Sequence, residues 1–206
     1  MTWRAQNIKK GCTTKCPMIL TPDNEYAAVL DACVLLPMPL CDTLLRLAEE
    51  PSLYRPLWST NILEEVERNL QEKLGRTAEQ AQRRITAMRT AFPEAEISVP
   101  PELLKAFESL PDPNDRHVLA AANRGGAHVI VTQNVKHFPE DCLQRFDILC
   151  HTADEFLIHQ FHISPDEVLT KLDEQGANLS KDRIVVTKML RGIVPGFAKL
   201  VLERSI

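Results

Sequence analysis

Four places in this sequence set oxygen-bearing side chains at the end of an apolar run or at the start of a helical one. Asp31 closes the run AAVLD (27–31), and Glu64 and Glu65 lie one turn into the segment after Ser59. Asp112 and Asp115 open a helical stretch, and Thr132 and Asn134 follow the apolar run HVIVT. Carboxylates, amide carbonyls and water are the ligands that Mg2+ and Mn2+ prefer to thiols or imidazoles. Carboxylates brought together raise one another's pKa, so a converging set does not stay anionic without a cation. A divalent metal is therefore inferred from charge.

Each position also has a plainer reading. Asp31 can cap the helix that follows it. Asp112, Pro113 and Asp115 make a good helix start, with an Ncap acid, proline at N1 and an acid at N3. A helical wheel through Ile62, Leu63, Val66, Leu70 and Leu74 puts Glu64 and Glu65 about equally far from the core face, so periodicity does not choose between them. Asn134 reads as a turn residue.

The elements that position these groups alternate. Short apolar runs at 27–31, 56–59, 96–99, 127–132 and 146–150 suit strands buried on both faces of a parallel sheet. Between them, apolar residues recur at helical spacing. One helix starts near Pro39 and buries Leu40, Leu44, Leu47 and Ala48. A second carries Ile62, Val66, Leu70 and Leu74 and stops at Gly75. A third is capped by the Thr77/Gln80 box and turns Ala81, Ile85, Met88 and Phe92 inward, and others span 101–109 and 113–124. This alternation predicts an α/β sandwich with helices on both faces of one sheet. After Cys150 the pattern becomes three or four helices, with Ser180 as a cap and Ile184–Val186 inside a helix. Ligands of open parallel sheets bind beyond the carboxyl ends of the strands, the edge where all four of these places fall.

Composition narrows the class. The 206 residues carry 24 Lys plus Arg against 28 Asp plus Glu, a formal charge of −4, which excludes a chain that coats nucleic acid by bulk attraction. Any basic surface must be local. Residues 176–206 hold six basic residues (Lys181, Arg183, Lys188, Arg191, Lys199 and Arg204) against two acidic ones, and Arg83, Arg84 and Arg89 form a smaller group. Both read equally well as solvated faces. No run approaches the roughly 18 apolar residues of a membrane helix, and no apolar h-region follows the N-terminus, so the expected location is the cytoplasm without membrane attachment. The six cysteines are then expected to be reduced thiols. Cys12 and Cys16 lack the partners of a zinc site, and His151, His159 and His162 read as surface or core residues. A phosphatase using Asp31 as nucleophile needs a second Asp at position 33, which is Cys33, and no G-x-G-x-x-G or P-loop is present.

VLDACVL, WSTNILEEV, DPNDRHVLAAA and VIVTQNVKHFP, in this order, resemble the PIN-domain ribonucleases that serve as VapC-type toxins of type II toxin–antitoxin pairs. The likeness is to the subgroup with DPxDRHVLAAA and TxNxxxFP motifs and a helical C-terminal extension, and it covers about Ala27 to Cys150. It implies a three-layer α/β/α sandwich with a parallel sheet of about five strands, and a division into an arm (1–25), a PIN-like nuclease domain (26–150) and a helical extension (151–206). The implied activity is Mg2+- or Mn2+-dependent endonucleolytic cleavage of RNA by water, leaving a 5′-phosphate and a 3′-hydroxyl. By position, Asp31, Glu65 and Asp115 match the family's catalytic acids, and these three with Asp112 and Asn134 form the implied metal set. Thr132 matches a hydroxyl residue that positions water. Arg116 and His117, beside the third acid, read either as phosphate contacts or as residues that simply face solvent. Many relatives have Asp where this chain has Asn134, one negative charge fewer. That departure motivates an alternative, a weak or inactive PIN module that binds RNA or antitoxin. A cognate antitoxin and an RNA substrate are the implied partners, with a homodimer left open.

Overall fold

The computed structural model describes residues 26–204; the N-terminal arm expected over 1–25, with Cys12 and Cys16, lies outside them. Within the described residues, five parallel strands form one sheet in the order β3-β2-β1-β4-β5: β1 (Ala27–Leu30), β2 (Arg55–Ser59), β3 (Glu96–Ile97), β4 (Val129–Val131) and β5 (Leu149–His151). Every residue of β1 and β4 is buried, which is why both runs are apolar without alternation.

Among the described residues, ten α-helices join and extend this sheet: α1 (Ala32–Leu35), α2 (Met38–Ala48), α3 (Thr60–Glu72), α4 (Ala78–Ala91), α5 (Arg116–Gly125), α6 (Glu140–Leu143), α7 (Ala153–Ile163), α8 (Pro165–Asn178), α9 (Arg183–Leu190) and α10 (Pro195–Arg204). The chain steps from β1 to β2 to β3 in one direction and crosses back to β4 and β5 in the other. Right-handed crossovers therefore place α5 and α6 on the face opposite α2, α3 and α4. α5 packs along β1, β2, β3 and β4 through Val118, Leu119 and Ala122, all fully buried. α2 buries Leu40, Leu44 and Leu47, each contributing roughly 2 kcal/mol by leaving water. The result is the expected three-layer α/β/α sandwich with a helical C-terminal extension.

That extension packs back on the sandwich. α8 lies against α2, where Gln175 Nε2 donates to Pro39 O at 3.0 Å and Thr43 Oγ1 sits 2.7 Å from Gln175 Oε1. The buried Lys171 ammonium donates to Glu50 O at 3.0 Å. The rings of Tyr54 and Phe156 meet edge to face at 4.9 Å, and Asp154 accepts from the backbone N–H groups of Gly196 and Phe197 at the start of α10. Among the described residues no helix is long and apolar enough to cross a membrane.

Local signals hold at many boundaries and fail at a few for identifiable reasons. Thr77 and Gln80 form their capping box, and Ser59 caps α3. α3 stops at Glu72, so Leu74 lies beyond the helix and is exposed instead of joining the core face. Asp182, whose carboxylate accepts from Val185 N–H at 2.8 Å, caps α9 in place of Ser180. Ser180 is held at φ 53° in the preceding turn. The stretch 101–109 is a 3-10 helix over Pro101–Phe107, and 113–124 splits into a 3-10 turn (Pro113–Asp115) and α5. The last strand sits three residues later than its expected start, because Phe146 closes a 3-10 turn and pairing with β4 begins at Leu149.

Candidate active site

Asp31 is 5% exposed and stands where β1 ends, its backbone N–H donating to Val131 O at 3.1 Å. Its carboxylate does what a helix cap does, with Oδ1 accepting from Ala32 N–H at 2.6 Å. It also does more. Oδ2 accepts from the buried Thr132 hydroxyl at 2.6 Å and from the Cys33 thiol at 3.0 Å. Burial and the nearby Asp31 charge push the Cys33 pKa up to about 12, so that thiol stays a protonated donor. Thr132 Oγ1 in turn accepts from Asn134 N–H at 3.0 Å, which ties the loop after β4 to the tip of β1.

The structure separates the two glutamates. Glu65 is half-buried, its Oε1 accepting from Asn69 Nδ2 at 3.3 Å and its Oε2 lying 4.0 Å from His117 Nε2, whereas Glu64 is exposed. His117 thus sits beside an acid of the site; its pKa is lowered by burial, against the opposing pull of Glu65 and Asp31. An imidazole so lowered is neutral near pH 7. Arg116 turns the other way and donates to Glu108 O at 3.3 Å.

Asp112 caps the 3-10 turn, with Oδ1 accepting from Asn114 N–H at 2.9 Å. Asp115 occupies the junction between that turn and α5 but makes no cap bond; its Oδ2 lies 2.7 Å from His137 Nδ1. Asp112 Oδ2 is 3.8 Å from the same nitrogen. Burial raises the Asp115 pKa; the His137 hydrogen bond opposes this, and the charges of Asp31 and Asp112 add to it. Asn134 is exposed, and its side chain makes no hydrogen bond among the described residues.

Strand ends and helix starts thus bring Asp31, Glu65, Asp115 and Thr132 to one edge of the sheet, with Asp112 beside Asp115. The donor set suits a hard cation. It is dominated by carboxylate oxygens, and Asp115 Oδ1 has no hydrogen-bond partner among the described residues while burial already disfavours the charge it would carry alone.

Two contributors escaped the sequence reading. Cys33 reads as a small apolar residue after Asp31, and His137 lies inside VTQNVKHFP with no periodicity to mark it; only the approach of that loop to Asp112 and Asp115 reveals it. The basic groups, conversely, are partly neutralised. Arg183 pairs with Asp173, Arg204 with Asp166 and Lys199 with Glu203. Arg89 pairs with Glu96, and Arg84 donates to the carbonyls of Leu35 and Leu36. His151 packs its ring on His159 at 4.8 Å.

A five-stranded parallel sandwich with carboxylates gathered at the carboxyl edge of its central strands defines an α/β protein with a candidate cation site at that edge. A family model described as the PIN domain matches residues 27–136, more than half of the chain, and the chain belongs to that family. Over 49 residues it is 53% identical to a Mycobacterium tuberculosis protein named "Putative ribonuclease VapC50". That segment covers 24% of this chain and 29% of the relative, so the chain spans under a third of the relative's length. No solved structure matches the chain.

Proposed function

We propose that this chain is a divalent-metal-dependent endoribonuclease, the toxin of a type II toxin–antitoxin pair. The observation that carries this reading is the convergence of Asp31, Glu65 and Asp115, from three separate segments, on the carboxyl edge of the sheet, together with the PIN domain match over 27–136. Asp31, Glu65 and Asp115 are the residues that would hold Mg2+ or Mn2+, with Asp112 and the Asn134 carbonyl completing the set. A cation bound there supplies Lewis acidity, which lowers the pKa of water and offsets charge on the scissile phosphate.

The chain's own groups do the rest. Thr132 and Cys33 hold the Asp31 carboxylate in one orientation, Asn69 holds Glu65, and His137 holds Asp115. Every acid therefore meets the substrate pre-oriented, which is where an active site gains most. Without a cation the same carboxylates repel a phosphate, so binding of metal and of RNA are coupled.

On this reading the substrate is RNA and the partner a cognate antitoxin that folds on binding. The chain works in the cytoplasm without membrane contact, as a monomer or homodimer. It divides into an arm (1–25), a nuclease unit (26–150) and a helical extension (151–206). The test is incubation of the purified full chain with structured RNA and Mn2+. Cleavage is expected, and is lost in EDTA and in Asp31→Asn. No cleavage by the parent, with Asp31→Asn indistinguishable from it, rejects the enzyme and leaves the RNA- or antitoxin-binding module that Asn134 motivates.

A further inference from the structure

We propose that His137 is a positioning residue for Asp115, its Nδ1 fixing Oδ2 and leaving Oδ1 as the oxygen presented to the cation. The inference rests on the metal site proposed above and adds a residue to it. The Asp31 carboxylate is held by three donors, but among the described residues the Asp115 carboxylate has one hydrogen-bond partner, His137 Nδ1 at 2.7 Å.

An aspartate at a helix start ordinarily turns back to cap the helix. Asp115 makes no such bond, although Asp112 and Asp31 both do. Its side chain is thus released from local duty, and its orientation depends on a residue 22 positions away.

The delivery of that imidazole is built into the loop after β4. His137 N–H donates to Asn134 O at 2.8 Å, Phe138 N–H donates to Val135 O at 3.0 Å, and the Phe138 ring is buried at 2% exposure. Asn134 N–H is bound to Thr132 Oγ1, which also holds Asp31. One loop therefore orients two acids, Asp31 through its threonine and Asp115 through its histidine. His137 Nδ1 also stands 3.8 Å from Asp112 Oδ2, between two carboxylates that would otherwise face each other unscreened.

The two ring nitrogens can be tested separately. An asparagine amide overlays Nδ1 of histidine, a glutamine amide overlays Nε2, and phenylalanine keeps the ring shape without either. The experiment measures Mn2+ affinity of the full chain by calorimetry, alongside kcat and KM for RNA, in His137→Asn, His137→Gln and His137→Phe. Each variant is checked for folding by circular dichroism. Partners of metal ligands typically contribute about 10–100-fold in affinity or activity. His137→Phe and His137→Gln are expected to lose Mn2+ affinity and kcat in that range with KM little changed, while His137→Asn stays within a few-fold of the parent. If His137→Phe fails to fold, the Asn and Gln pair decides alone.

Mn2+ affinity that is indifferent to all three variants overturns the proposal. Retention by Gln and not Asn also overturns it, because the working nitrogen is then Nε2. So does a nitrogen coupling in the pulsed magnetic resonance spectrum of bound Mn2+ that disappears in His137→Phe, which makes His137 a ligand. A parent that binds Mn2+ but cuts no RNA defeats the nuclease reading and leaves this comparison intact. A parent that cuts RNA with His137-independent Mn2+ affinity defeats only the positioning role.

Discussion

Replacing Thr132 by valine removes one hydroxyl from the centre of this site while keeping the side chain's shape, so the effect is that of a hydrogen bond and not of a cavity. The hydroxyl is fully buried and donates to Asp31 Oδ2 at 2.6 Å. A hydrogen bond to a charged group contributes about 1.5–3 kcal/mol. Two features set the value toward the lower end: the Cys33 thiol still reaches the same oxygen, and Asn134, whose N–H loses its acceptor, is exposed to water. A loss of about 2 kcal/mol is expected, which in a domain of this size lowers Tm by about 4–8 °C. Thermal and urea unfolding of the full chain in EDTA measures it. Thr132→Ser keeps the hydroxyl and gives up one methyl, so it should lose only about 1 kcal/mol. A double-mutant cycle with Asp31→Asn isolates the pair. If Thr132→Val unfolds within about 0.5 kcal/mol of the parent, or if Ser and Val are equally destabilised, the hydroxyl is not what holds Asp31.

The raised pKa of Asp115 has two consequences of opposite sign. Mn2+ affinity and cleavage need the carboxylate, so both should fall on acidification at a higher pH than an ordinary aspartate, near 4, would dictate. In the metal-free chain, the stability contributed by Asp115 is present below its unfolded pKa and lost as pH rises through the folded one. Asp115→Asn, which keeps an acceptor for His137, should therefore be more stable than the parent at neutral pH in EDTA; equal or lower stability refutes the strain. Glu96 behaves conversely. Its pKa is lowered chiefly by the Arg89 hydrogen bonds at 2.7 and 2.9 Å, so its contribution is present above its unfolded pKa and lost as pH falls through the folded one. Arg89→Met should lower stability by up to about 1 kcal/mol at neutral pH and less in high salt, as urea midpoints at two ionic strengths will show. Gly176→Ala should be destabilising by about 1–3 kcal/mol, since the new Cβ would lie 2.7 Å from the Lys181 backbone carbonyl oxygen, which cannot rotate away; an unchanged midpoint would mean that the turn between α8 and α9 yields.

Much of the fold could be read along the chain because it is written in nearest-neighbour terms. β1 and β4 are continuous apolar runs because both faces are covered, and Ser59, Thr77 and Asp112 cap the turns they precede. Those signals need only the residues within one turn or one strand. The plainer reading and the functional one also proved compatible at Asp31, which caps α1 with one oxygen and takes the Thr132 and Cys33 donors with the other.

What tertiary structure alone decided are relations between segments far apart in sequence. Two glutamates equivalent on a helical wheel become unequal because Glu65, not Glu64, lies beside His117 of α5. The position of β5 follows from its pairing with β4, and the C-terminal positive excess is reduced by acids on α8 that no local count anticipates. His137 becomes a partner of Asp115 only when the loop after β4 folds over the start of α5. A side chain's helical or extended state follows from its neighbours along the chain. Its partner across space follows from strand order and crossover direction, and those are properties of the assembled sheet.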